Sequence, residues 1–281
     1  MIAVAGVLTV GLANLIRHPL EGHAAVSRRA ELVALADLAL ARMSRDLRRA
    51  LPNSVRIVGS GGVLELLHTT GGARYRLDPG INDPGGPDER DHSAESDWLS
   101  FGGDASWNLI GRLRGFDFSH GTPLASGTRL AVFPTGSGIW SAAALDTSPG
   151  PITPAETRIT VFDDGDEDQI RLDASHRFVR ESPSRRLYVV DTPVTYLCDL
   201  REGLLWRISE YAITPAQPAD LGTAPLSTGQ TARVAHRVER CRFEHLPGTA
   251  TRSGIVTLEI ALASGGERVH LLHQVQVPNA P

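Results

Sequence analysis

Six consecutive residues, Asp163-Asp164-Gly165-Asp166-Glu167-Asp168, offer the densest set of chemically capable side chains in the chain. Hard cations take several carboxylate and carbonyl oxygens, and a glycine lets backbone fold around an ion. Asp163, Asp164, Asp166 and Asp168 are therefore candidate metal ligands, with calcium as the cation. The run lacks the closing glutamate of a twelve-residue EF-hand loop. Its plainer reading is an acidic hairpin tip. Among the ten histidines, His270 and His273 form the closest pair. On a strand that spacing sends them to opposite faces, which argues against a shared zinc ion.

Covalent chemistry finds fewer residues. No serine stands in a G-x-S-x-G elbow, and Gly136-Ser137-Gly138 lacks the strand-to-helix context that such a nucleophile requires. Gly59–Gly62 leads from one strand into another, so it offers no helix N-terminus to a phosphate. Trp98, Trp107, Trp140 and Trp206 could form a sugar platform, although tryptophans more often serve as core. No catalytic residue is assigned, no resident cofactor is implied, and the expectation is a protein that is not an enzyme. Cys198 and Cys241 are the only cysteines. In an extracytoplasmic head they are candidates for one disulfide, whose loop closure would contribute about 4 kcal/mol.

The elements that must position these residues fall into two regimes. The first fifty residues read as one long helix. Met1–Ile16 carries no charge, and Arg17, His18, Pro19 and Glu21 follow as an interface, with a helix kink expected at Pro19. From Arg28 the apolar Val33, Ala36, Leu40, Met43, Leu47 and Leu51 recur at steps of three and four, one face of an amphipathic helix. Arg42, Arg45, Arg48 and Arg49 make the opposite face basic, and Pro52 ends the run. The apolar face is expected to pack on the inner face of a sheet.

After Pro52 the pattern becomes short alternating runs separated by Gly, Ser, Asn and Pro, the signature of strands and turns. Strands are expected at Ser54–Val58, Val63–His68, Ala73–Leu77, Trp98–Phe101, Arg129–Phe133, Thr157–Phe162 and Gln169–Leu172. More follow at Leu187–Val190, Val194–Leu197, Leu204–Ile208, Arg233–Phe243, Gly254–Leu262 and Arg268–Val277. Asn82–Asp97, Pro134–Pro154 and Pro215–Gln230 read as loops. The expected class is α+β, a long N-terminal helix packed on a mainly antiparallel β-rich head. Three regions result: an apolar stem over 1–20, an amphipathic helix over 21–52 and a globular head over 53–281. The 281 residues suffice for a substantial core, and a net charge of −4 argues against a nucleic-acid partner.

This order of features resembles the type IV pilin-like proteins. Within them the chain is most similar to the MshO family of minor pilins, which belongs to mannose-sensitive haemagglutinin (MSHA) pili. The stretches that carry the resemblance are His18–Gly22, Ala30–Ile57 (AELVALADLALARMSRDLRRALPNSVRI), Ser175–Phe178, Val189–Asp199 (VVDTPVTYLCD), Gly203–Tyr211 and His270–Pro281. The family's basic leader, glycine cleavage site and fifth-position glutamate are not found here. Met1 corresponds to a point inside the family's mature helix, so the stem reads as truncated. The resemblance implies a structural subunit for initiation or the tip of the pilus. Its partners would be other major and minor pilins, the assembly platform and the inner membrane. The implied location is the inner membrane with a periplasmic head, then the pilus and cell surface. A type II secretion pseudopilin shares this plan. A membrane-tethered sugar- or calcium-binding protein is the alternative of a different class.

Overall fold

The computed structural model describes residues 2–77, 98–135, 138–248 and 252–277, with side chains from His23 onward. Helix α1 (Ile2–Arg48) contains 47 residues, about 70 Å at 1.5 Å per residue. It is continuous through Pro19. Arg45 and Arg48 lie in its last turn, where positive charge complements the helix dipole.

Twelve strands follow among the described residues: β1 (Arg56–Val58), β2 (Val63–Arg74), β3 (Asp104–Asn108), β4 (Arg129–Val132), β5 (Ile159–Asp164), β6 (Glu167–His176), β7 (Arg186–Asp199), β8 (Leu204–Ser209), β9 (Gln230–His236), β10 (Val238–Leu246), β11 (Gly254–Ser264) and β12 (Glu267–Val277). They form three antiparallel sheets: β1-β2-β7-β8-β9 with β4 added on β7, then β10-β11-β12, and β3-β6-β5. A second, short helix, α2 (Ile139–Leu145), interrupts the strands.

This architecture corrects the expected α+β class. The protein is mainly β, built from three separate antiparallel sheets. Among the described residues no helix is long and apolar enough to cross a membrane. The division between the first two sheets has a physical origin in the corner at Arg237. Its backbone is left-handed, at φ 60°, and turns the expected single strand Arg233–Phe243 into β9 and β10, which belong to different sheets.

Several other segments also differ from expectation. Val63–His68 and Ala73–Leu77 are joined because β2 continues through Gly71 and Gly72, with register shifts against β7 on either side of Thr69. Leu187–Val190 and Val194–Leu197 are likewise one strand, and Pro193 sits inside it opposite Leu67, beside one of those shifts. A proline lacks the ladder donor, and a bulge is where a sheet tolerates that loss. Trp98–Phe101 is bend and turn, and the strand lies at Asp104–Asn108. The expected loop Pro134–Pro154 contains α2. Asn82–Asp97 lies outside the described residues.

The main core is the trough between the first two sheets, filled by α1. Leu32, Ala36, Ala39, Leu40, Met43 and Leu47 meet Leu64 and Leu66 of β2, Tyr196 of β7, Leu205 of β8 and a row of apolar side chains from β10, β11 and β12. Fully burying a leucine contributes roughly 1.5–3 kcal/mol, so this helix face is a major stabilising surface. A second core lies under the third sheet, around Tyr75, Trp107, Leu130, Ile170, Phe178 and Val189. The two cores share β7, whose first half pairs with β4 and whose second half pairs with β8. The 3-10 turn Gly59–Gly61 presses on β10. A Cβ at Gly61, where φ is +88°, would lie 2.9 Å from the Phe243 carbonyl oxygen, so the position admits only glycine.

Candidate functional site

Helix α1 and its seat form the first candidate, an assembly surface. Ala36, Leu40, Met43 and Leu47 are buried in the trough, and Val33 packs on its margin. Leu51 is also buried, but it lies past the helix in a separate cluster with Leu67, Ala131 and Trp140. Leu32 and Ala39 belong to the helical face as well, in addition to the residues that the spacing predicts. Leu32 fits the step of four to Ala36, whereas Ala39 was obscured by an alanine-rich segment. Arg42, Arg45, Arg48 and Arg49 are exposed, as a solvated face requires.

Polar contacts fix the helix in its seat. Arg207 Nε of β8 donates to Asp46 Oδ2 at 2.7 Å, and Tyr196 Oη of β7 donates to the same oxygen at 2.8 Å. Burial, together with the Asp46 carboxylate, pushes the Tyr196 hydroxyl far up and keeps it protonated as a donor. At the helix exit, Leu51 N–H donates to the Leu67 carbonyl, and Ala50 bridges to His68. Towards the N-terminus the burial stops. From His23 to Glu31 no side chain is buried, and Val26 is 70% exposed.

Cys198 of β7 and Cys241 of β10 form a disulfide, with Cα atoms 6.3 Å apart. It links the two sheets that build the trough, directly behind the helix seat. The helix therefore sits in a groove whose walls are covalently tied.

The acidic hairpin is the second candidate. Asp163 and Asp164 end β5, and Asp168 lies in β6, where it is 1% exposed. The oxygens of Asp168 accept from Arg112 Nη1 at 2.7 Å, lie 2.9 Å from His120 Nε2, and accept from the Leu113 N–H at 2.8 Å. Arg112 also reaches Asp163 at 2.8 Å and the Gly165 carbonyl. Hydrogen bonding to Arg112 holds the Asp163 carboxyl below its ordinary range. Asn108 Nδ2 donates to Asp164 at 2.7 Å, and Arg76 pairs with Glu167. An arginine thus stands where a cation would stand, and the hairpin staples the 109–120 segment onto the third sheet. Asp166 is exposed at the turn. Among the described residues no group of three or more His, Cys, Asp or Glu side chains is arranged to hold a metal ion.

Trp107, Trp140 and Trp206 lie in three different clusters and form no common platform. Trp107 is buried in the core beneath the third sheet, Trp140 in the cluster around α2, and Trp206 lies beside the cluster of Val63 and Ile208. His270 and His273 both lie on β12, and His270 Nε2 is 3.0 Å from Glu259. The triplet Gly136-Ser137-Gly138 falls partly outside the described residues.

The third candidate is a cleft of about 420 Å³ lined by Asn53, Val55, Arg56, Trp140, Pro215 and His245. Arg56 dominates it. Its guanidinium stacks 3.7 Å from the Trp140 ring centre, donates to Glu65 at 2.6 Å, and donates to the Thr214 and Pro215 carbonyls. Trp140 Nε1 in turn donates to the Ser54 carbonyl. Burial pushes the Glu65 carboxyl up, and Arg56 and Tyr211 oppose that shift. These side chains are consumed in tethering the 214–216 loop to β1 and β2, so the cleft presents few uncommitted groups to a ligand. The sequence held no signal for this cluster, because its members are joined only by the folding of distant segments.

No protein family, curated protein or solved structure matches the chain.

Proposed function

We propose that the chain is a structural assembly subunit, a minor pilin acting in initiation or at the tip of an MSHA-type type IV pilus. The observation that carries this reading is the division of α1. Its last turns, from Leu32 to Leu47, are buried in the head. The helix nevertheless extends N-terminally for about thirty residues, roughly 45 Å. A helix held rigidly at one end and continuing beyond its seat is suited to packing against neighbouring subunits. The Cys198–Cys241 disulfide supports a head outside the reducing cytoplasm. In this reading the role is structural rather than enzymatic, and the polar clusters of the head serve as stapling contacts. A type II secretion pseudopilin would use the same handle, and gene neighbourhood separates the two.

The test is site-specific photocrosslinking in cells from Val26, an exposed position on the helix. Crosslinks to pilin subunits, together with a fall in surface pili on deletion of the gene, are the expected result. Normal piliation in the deletion strain, with no pilin crosslinked, overturns the proposal.

A further inference from the structure

We infer that β12 is a pairing edge, and that its partner is β12 of a second copy of this chain. The inference stands on the head alone and does not rest on the pilus reading. β12 closes one side of the β10-β11-β12 sheet and pairs with β11 through eleven residues without a register shift. Among the described residues its outer backbone groups bond to no turn or loop.

The other sheet edges are blunted. β1 has three residues, and β3 and β9 each carry a shift against their neighbour. β10 carries a shift between Val238 and Arg240 and is met by the Gly61 turn at Arg242 and Phe243. β5 is capped by backbone bonds from Gly121 and Leu124. Natural proteins suppress edge pairing by short strands, bulges, prolines and charge. β12 has neither proline nor bulge, and its only acidic and arginine side chains, Glu267 and Arg268, stand together at one end.

The occupant follows from the self-complementarity of the strand. Two antiparallel copies centred on Leu272 place Leu272 against Leu272, His270 against Gln274, Val269 against Val275 and Arg268 against Gln276. No like charges meet: Leu272 faces Leu272 at the centre, and on the helix side Val269 faces Val275, flanked by Leu271 against His273 and Glu267 against Val277. Leu272 is 58% exposed, and the neighbouring His270, His273 and Gln274 are exposed as well. Such pairing is isologous and closes as a dimer, fusing the two three-stranded sheets into one.

The test uses the full chain at increasing concentration, with mass measured by light scattering after gel filtration. A concentration-dependent dimer is expected. Leu272→Arg places two arginines directly opposite at the centre of the register, and its dimer dissociation constant should rise at least about tenfold. Leu272→Cys treated with a short bis-maleimide should yield a covalent dimer, whereas Arg242→Cys on β10 should not. A chain that remains monomeric throughout overturns the inference. So does a dimer insensitive to Leu272→Arg, or equal crosslinking from positions 242 and 272.

Discussion

Arg207 of β8 and Asp46 of α1 meet at 2.7 Å, 161 residues apart in sequence, and both side chains are largely shielded from solvent. Tyr196 shares the same carboxylate oxygen. One ion pair thus fixes the helix to the wall of its trough just before the helix ends.

Removing one partner of this pair should cost more than removing both. Asp46→Ala leaves the Arg207 guanidinium and the Tyr196 hydroxyl without their acceptor, and should destabilise the head by about 2–3 kcal/mol. The double variant Asp46→Ala/Arg207→Met should lose less than the sum of the single changes, because no shielded charge remains unpaired. Urea unfolding of the four proteins of the cycle measures the coupling. Additive losses would mean that the pair contributes nothing as a pair.

Helix seating can be tested by charge. Leu47 is fully buried and Leu40 is 4% exposed, whereas Leu38, on the same helix, is 63% exposed. Leu47→Asp or Leu40→Asp should cost several kcal/mol and strongly destabilise or unfold the head, since a carboxylate there has no partner. Leu38→Asp should change stability by no more than about 0.5 kcal/mol. Thermal melts of the three variants decide the matter. Unchanged melting of Leu47→Asp would refute the packing.

These contrasts show which features local sequence encodes. The steps Ala36-Leu40-Met43-Leu47 point to one helical face because helix geometry is local, and the structure places all four in the trough. Leu51 follows the same period, yet the chain has left the helix by then and buries it in another cluster. Pairing of sheets is not local. Pro193 and the Gly71-Gly72 pair looked like ends of strands, and only tertiary bulges let β7 and β2 run past them. The seven-residue α2 was hidden in a Gly/Ser/Pro-rich segment, although its Trp140 side chain anchors a cluster. The acidic hairpin was legible as acidic, but its neutralising partner Arg112, and His120 beside the same carboxylate, arrive from a loop about fifty residues away.

The disulfide spans a sequence separation of 43 residues. Chain-entropy loss on closing such a loop gives about 4 kcal/mol at 25 °C. Reduction, or the Cys198→Ser/Cys241→Ser variant, should lower the urea midpoint accordingly. Because the bond joins β7 to β10 behind the helix, amide exchange should accelerate in α1 and β10 more than in β5 and β6. A uniform change across all three sheets would contradict this placement.

His176 supplies a pH signature. Its ring is 1% exposed and packs edge-on against Phe178 at 4.6 Å between centres, and Nε2 lies 3.1 Å from the Gly150 carbonyl. Nε2 is thus the protonated nitrogen of a neutral imidazole, and Nδ1 has no partner among the described residues. Burial pushes the His176 pKa down, and burial does the same to the half-buried His245. The unfolded chain then binds more protons than the folded one as pH falls below the ordinary histidine value. Stability is full above that value and is lost progressively as pH drops towards the depressed folded values. His176→Gln keeps a donor for Gly150 and removes one titrating group, so its stability should fall less between pH 7.5 and pH 5.5 than that of the parent, with His245 supplying the remaining slope. Urea titrations at the two pH values provide the comparison, and equal slopes in parent and variant would show that His176 does not titrate in folding.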